Sequence, residues 1–257
     1  MELLKTCIIV CPMVFLAGFV DAVAGGGGLI SLPAYLFAGL PAHLASGTNK
    51  VVNAMGTALA AGNYIKSGKI DLRAGLTAAL FALIGSAIGT RIALHLDQAV
   101  FQIAILVALP VVAVILTVKK DFGKEGAVPE RNWNSGVKLL AAGLIGLLIG
   151  CYDGMLGPGT GTFMIMAFTM VLGMDLLTAS GCAKVGNLAS NVASAVVWAL
   201  NGQVWYALVI PAAACNLLGS WLGSRYAIRG GSQKIRGMIF LVLGLLFLKL
   251  LLDLLNR

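Results

Sequence analysis

Charge is distributed along this chain so that long stretches carry none. Residues 22–49, 74–90, 98–118, 154–174 and 185–224 contain no Asp, Glu, Lys or Arg. A bilayer core about 30 Å thick is crossed by roughly 20 apolar residues in a helix. Several of these runs reach that length, and the last is long enough for two helices joined at Asn201-Gly202-Gln203. The pattern predicts an all-α polytopic membrane protein. A membrane β-barrel would read as alternating segments of about 10 residues, and none stand out.

The pattern also repeats. GFVDAVAGGGG (18–28) matches GCYDGMLGPGT (150–160), and ASGTNKVVN (45–53) matches ASGCAKVGN (179–187). Tyr64 and Gly68 match Trp198 and Gly202, and GSAIGTR (85–91) matches GSWLGSR (219–225). The offset is 132 in the first block and 134 from about Gly39 onward, so the second copy carries two extra residues. We divide the chain into a first repeat (1–118), a polar cytoplasmic linker (119–135) and a second repeat (136–257).

Each copy opens with a break. Four consecutive glycines, Gly25 to Gly28, are costly inside a helix, about 1 kcal/mol each relative to Ala. Pro158 lacks the N–H that a helix interior needs. If each break folds back as a re-entrant hairpin, each copy has three full spans besides, and the second copy is inverted. If each crosses as a kinked helix, the copies are parallel. In the hairpin arrangement, loops 66–73, 119–138 and 225–236 share a face and hold twelve Lys and Arg residues, against Arg91 alone opposite. In the kinked arrangement the split is eight against five. The excess of Lys and Arg on the cytoplasmic side therefore predicts inverted-topology repeats, each a re-entrant broken helix plus three transmembrane helices. Lys5, Lys249 and Arg257 lean the other way, and both termini are then expected outside.

Composition sharpens this picture. The chain is 59% hydrophobic and 11% charged, with a net charge of +8. Basic cytoplasmic loops account for that charge. Nucleic acid is not an expected partner, because no basic folded module stands outside the membrane. Cys7, Cys11, Cys151, Cys182 and Cys215 form no C-x-x-C pair, so no metal site is indicated and small buried thiols are expected. Lys5, an apolar run and Ala22-Val23-Ala24 resemble a signal peptide. Asp21 interrupts the apolar part and the segment recurs internally, so we expect this helix to be retained.

The candidate chemistry lies on two helices. Ser46, Lys50, Asn53 and Thr57 fall at i, i+4, i+7 and i+11, one helical face. Ser180, Lys184, Asn187 and Asn191 repeat the spacing. A charge at the bilayer centre costs about 2.5–3.5 kcal/mol even on the lenient translocon scale, so two such lysines point to function. Two blander readings stand beside this one. Lys50 could pair with Asp21 and Lys184 with Asp153, locking the broken helices, or either lysine could snorkel to headgroups. A helix starting after Gly28 or Gly161 would aim free N–H groups and a positive dipole end inward, where anions bind. Broken helices at matching places in two repeats are a pointer to a transport site. GxxxG at 85–89 and 219–223 reads as close packing alone. His43 and His95 lack repeat partners and are read as loop residues.

Asp-x-x-x-Gly-Gly-Gly-Gly, Thr-Asn-Lys, Tyr-Asp-Gly-x-x-Gly-Pro-Gly (152–159) and Ala-Lys-x-x-Asn together resemble the TauE/SafE family, over roughly residues 10–255. The resemblance implies a multi-pass carrier in the cell (inner or plasma) membrane for small sulfur-containing anions such as sulfite or organosulfonates. Ala183 stands where Asn49 precedes the first lysine, so the two halves are not identical. The expected ligands are Lys50, Lys184, Asn53, Asn187, Ser46, Ser180, Thr57 and Asn191. Backbone at Gly25, Gly26, Gly27, Gly28, Gly157, Gly159 and Gly161 completes the cage, with Asp21 and Asp153 for ion pairing or coupling. The expected partners are a small anion and the lipid bilayer, with a homodimer possible; no cofactor is expected. An intramembrane enzyme would need a nucleophile–base set or metal ligands, and neither H-E-x-x-H nor G-x-S-x-G is present. A non-transporting anchor subunit would have no use for polar stripes.

Overall fold

The computed structural model describes residues 2–118 and 133–255; most of the expected linker, with its charges, lies outside the described residues, as does Arg257. The described chain is helical throughout: α1 (Glu2–Ala24), α2 (Gly28–Phe37), α3 (Ala42–Lys66), α4 (Leu72–His95), α5 (Gln98–Val118), α6 (Ser135–Met155), α7 (Thr160–Leu172), α8 (Leu176–Leu200) and α9 (Tyr206–Leu255). Gly231 (φ 63°) divides α9 into two halves. Among the described residues, four helical stretches are long and apolar enough to cross a membrane: Leu3–Ala24, Leu72–His95, Ser135–Met155 and Tyr206–Leu241. α3 and α8 have 25 residues each, about 37 Å at 1.5 Å per residue, but their polar stripes lower their hydropathy. Those stripes are buried except for half-buried Asn53, whereas Ile8, Leu76, Leu80, Leu148, Ile210 and Leu218 are exposed on α1, α4, α6 and α9. An apolar exterior around a polar centre suits lipid as solvent.

Local chemistry starts the helices where they start. The Asp71 carboxylate accepts from Ala74 N at the head of α4, Asn134 from Val137 N at α6, and Asp175 from Leu177 N and Thr178 N at α8. These side chains satisfy N–H groups that a helix start leaves unpaired. Left-handed glycines recur in both copies: Gly25 with Gly157, Gly39 with Gly173, Gly68 with Gly202. The two extra residues fall within α7, which has 13 residues where α2 has 10.

Contacts sort the loops onto two ends of the bundle. At one end His43 N–H donates to Gln98 Oε1 (3.4 Å), and Trp205 N–H donates to Thr48 Oγ1 (3.0 Å). That gathers the α2–α3, α4–α5 and α8–α9 connections. At the other end Lys138 pairs with Asp71 (2.7 Å), and Cys182 approaches the Asp71 carbonyl. That gathers the α3–α4 turn and the starts of α6 and α8. So α6 leaves this second end and α7 returns to it. Gly27 lies against Ala17 and Asp21, and Tyr35 lies beside Cys7 and Cys11. α2 therefore runs back along α1.

The halves interlock. α1 packs along α9, and α6 along α4. Gly219 and Gly223 sit on the Phe15 and Phe19 carbonyls, and Gly85 and Gly89 on those of Leu147 and Cys151. A Cβ at any of the four would overlap those oxygens. The GxxxG segments thus have the packing role their spacing suggests. The sequence reading errs on two smaller points. His43 lies in the first turn of α3, stacked on Phe101 at 4.8 Å, and His95 in the last turn of α4, so neither is a loop residue. Among the cysteines only Cys182 is fully buried; all five are free thiols.

Candidate functional site

The two breaks meet in the middle of the bundle. Gly25 and Gly161 touch backbone to backbone, and Thr162 donates to the carbonyls of Ala24 (Oγ1, 2.8 Å) and Gly25 (N, 3.2 Å). Only residues without side chains allow this approach, and the positive φ of Gly25 (78°) excludes most others in any case. α3 and α8 cross beside this junction and direct their polar faces at it.

Both lysines are buried and paired, each with the aspartate of the other repeat. Lys50 Nζ lies 2.7 Å from Asp153 Oδ2, and Lys184 Nζ lies 3.2 Å from Asp21 Oδ2. Lys184 also donates to the Asp21 carbonyl. The pairing within each repeat that the sequence suggested is replaced by an exchange between repeats. The reason is the interlocked packing: the broken helix of one copy ends beside the lysine helix of the other. Asp153 also accepts from Ser190 Oγ (2.5 Å), and Asp21 from Gly27 N (3.4 Å). Two ammonium and two carboxylate groups leave the centre formally neutral, which limits the cost of burying them.

A narrow cleft opens between the breaks and the two polar helices. Ser46, Asn49, Lys50 and Asn53 line it from α3, Asn187 and Asn191 from α8, and Asp21 and Asp153 from the helices before the breaks. Gly25, Gly28, Gly157 and Gly161 contribute backbone, and Leu32, Leu156, Pro158 and Thr160 complete the wall. Lys184, Ser180 and Thr57 are buried behind the wall and do not line it; nor do Gly26, Gly27 and Gly159. Ser46 Oγ has no hydrogen-bond partner although it is buried. Several N–H groups at the breaks are already used: Gly25 N on Asp21 O, Gly27 N on Asp21 Oδ1, Thr160 N on Gly157 O.

Sequence reasoning missed Asn49, Ser190 and Asn216. Asn49 stands i+3 from Ser46, at the edge of the same face and between the positions counted. Its i, i+4 relation to Asn53 was the available signal: Asn53 Nδ2 donates to Asn49 Oδ1 at 3.2 Å, as Asn191 Nδ2 does to Asn187 Oδ1. Asn216 reaches α3 from α9, where no local pattern announces it. Among the described residues no group of His, Cys, Asp and Glu side chains is arranged to hold a metal ion.

A protein-family model described as "Sulfite exporter TauE/SafE" matches residues 10–250. A "Probable membrane transporter protein" of Haemophilus influenzae is 34% identical over 240 residues, covering 93% of this chain and 92% of its own length. YfcA of Escherichia coli K12, also named a probable membrane transporter protein, is 28% identical over 261 residues, with 98% and 95% covered. YdhB of Bacillus subtilis, named likewise, is 22% identical over 247 residues, with 94% and 100% covered. No solved structure matches the chain.

Proposed function

The chain belongs to the sulfite exporter TauE/SafE family of membrane transporters, and on that premise we propose that it carries a small sulfur-containing oxyanion, sulfite or an organosulfonate, across the cell membrane. The observation that carries this reading is the Lys50–Asp153 pair on the cavity wall. An oxyanion entering there meets an ammonium group whose present partner is a carboxylate. It can take that carboxylate's place. Unpaired buried charge is expensive, so the displaced Asp153 is best carried as the acid, with a proton taken up for each anion. The core stays neutral and anion movement is coupled to protons.

The rest of the cage follows from position. Asn53, Asn187, Asn191 and Ser46 supply polar groups on the wall, and the N–H groups of Gly28 and Gly161 stand at helix starts, where anions are favoured. Lys184 and Ser180, behind the wall, form with Asp21 the matching half, in which Lys184 becomes accessible when the site opens the other way. That exchange requires inverted repeats. Three features support them: the return of α6–α7 to its own end, the run of α2 back along α1, and the paired contacts of GxxxG with α1 and α6. Rocking of one repeat against the other would exchange the two Lys–Asp pairs between sealed and open.

The reading is tested by thermal stabilisation of the purified protein with sulfite, organosulfonates, carboxylates and chloride. A ligand that binds the folded state raises the melting temperature with its concentration. Stabilisation by the sulfur oxyanions at lower concentration than by carboxylates or chloride is expected. Equal response to all of them would overturn the substrate class.

A further inference from the structure

The carboxamides of the cavity are not free to point either way. An amide presents a donor or an acceptor according to its orientation, and that orientation is read from its partners. Here one chain of hydrogen bonds starts at a backbone carbonyl. Asn216 Nδ2 faces the Val14 carbonyl (3.5 Å), which can only accept, and Ser220 Oγ, whose one hydrogen is shared between Asn216 Oδ1 (3.3 Å) and the Gly18 carbonyl (3.4 Å), stands at its Oδ1. With Asn216 so fixed, Nδ2 also donates to Asn53 Oδ1 (3.3 Å). Asn53 must then turn its own Nδ2 to Asn49 Oδ1 (3.2 Å). Asn49 is left with its Nδ2 to offer, on the cavity wall, with no acceptor for it among the described residues.

We propose that Asn49 is a specificity-determining donor of the anion site, held in its donating orientation by Asn216 through Asn53. This rests on the anion-carrier reading above and refines it. Asn53, taken as a ligand from its place on the stripe, becomes a positioning residue: both ends of its amide are engaged in the relay.

The device belongs to one half only. Gly56 lies against Asn216 Oδ1 and Ser220, and any side chain there would fill the seat of that amide. At the equivalent positions of the opposite copy stand Ala82 for Asn216, Ser190 for Gly56 and Ala183 for Asn49. Ser190 is spent on Asp153. Recognition of the oxyanion has therefore settled on the α3 half, where Lys50 and Asn49 stand side by side. A donor fixed by a relay favours an oxygen that carries no proton. A hydroxyl in the same place would offer that N–H a weaker acceptor than an anionic oxygen does.

Two probes of like shape and equal charge isolate this effect. At mildly acidic pH, methanesulfonate presents three bare oxygens, and methylphosphonate monoanion presents two and a hydroxyl. Their affinities are measured by calorimetry on the purified full-length protein. Wild type is expected to prefer methanesulfonate. Asn49→Ala should weaken methanesulfonate by about ten- to a hundredfold, the usual value of a hydrogen bond to a charged group. Asn49→Asp turns the donor into an acceptor of the same shape and should lower the ratio of the two affinities at least several-fold; its added charge acts alike on both anions and cancels in that ratio. Asn53→Ala should weaken methanesulfonate in the wild-type background and have no further effect once Asn49 is Ala. An unchanged ratio in Asn49→Asp, or simple addition of the Asn49 and Asn53 losses, would overturn the proposal and leave the carrier reading standing. Wild type that binds neither probe nor sulfite would overturn both.

Discussion

Replacing Lys50 with methionine removes the ammonium group and keeps most of the side-chain volume. In the native protein the Lys50 Nζ–Asp153 Oδ2 separation is 2.7 Å, and the two side chains are 6% and 3% exposed. At an effective dielectric constant of about 20 the attraction is roughly 6 kcal/mol. Removing both charges from water costs several kcal/mol per ion. The intact pair is therefore close to neutral in net stability, and the half-pair is not. Asp153 alone retains Ser190 but must stay charged and unpaired or take a proton, so Lys50→Met should destabilise by about 3–5 kcal/mol. Adding Asp153→Asn removes the orphaned charge and should recover most of that loss. Adding Asp21→Asn instead should not, because Asp21 belongs to Lys184. Reversible unfolding in mixed micelles, with all four proteins compared, measures this. Recovery by Asp21→Asn and not by Asp153→Asn would refute the exchange of partners between repeats.

Three further expectations concern packing, capping and topology. Gly219→Ala and Gly85→Ala, whose new methyl groups would overlap the Phe15 and Leu147 carbonyls, should each lose about 1–3 kcal/mol by overpacking; Gly62→Ala, into open space on α3, should be neutral or gain up to about 1 kcal/mol in the same unfolding assay. Burial alone would push the Asp71 carboxyl pKa up, but the Lys138 ammonium and the Ala74 N–H outweigh it and hold it below the usual carboxylate range. The stabilisation from Asp71 is thus complete above the ordinary carboxylate pKa and fades as pH falls through the lowered one. Asp71→Ala should cost about 0.5–2 kcal/mol near neutral pH, and the difference from wild type should vanish in strong acid. Ser67→Cys and Gln203→Cys, at equivalent turns of the two copies, should label from opposite sides of the membrane with an impermeant maleimide; labelling from one side would end the inverted-repeat reading.

The breaks, the duplication and the two lysine helices were legible in the sequence because each is a local signal: a glycine run, a proline, a charge in an apolar window. The turn at Asn201-Gly202-Gln203 was legible for the same reason. What could not be read was which helix faces which. Spacing puts Ser46, Lys50, Asn53 and Thr57 on one face, but whether that face meets a cavity or a neighbour depends on distant helices. Thr57 lies behind the wall, and Asn49, at the edge of the same face, is on it. Asp21 and Asp153 each lie within reach of a lysine. Their exchanged partners follow from the interlocking of the two copies, which no single helix encodes. Asn216 sits inside a GxxxG-type contact, and its purpose appears only with Gly56 opposite it.

The central claim is that buried Lys50 and Lys184 serve the passage of a small sulfur oxyanion. It is tested most directly by uptake of radiolabelled sulfite into proteoliposomes of wild type, Lys50→Ala and Lys184→Ala, each checked for folding and insertion. Saturable uptake by wild type is expected, faster with the lumen alkaline to the outside, and lost in both variants. Flux in both variants equal to that of wild type, or no flux of any sulfur oxyanion through wild type, would contradict it.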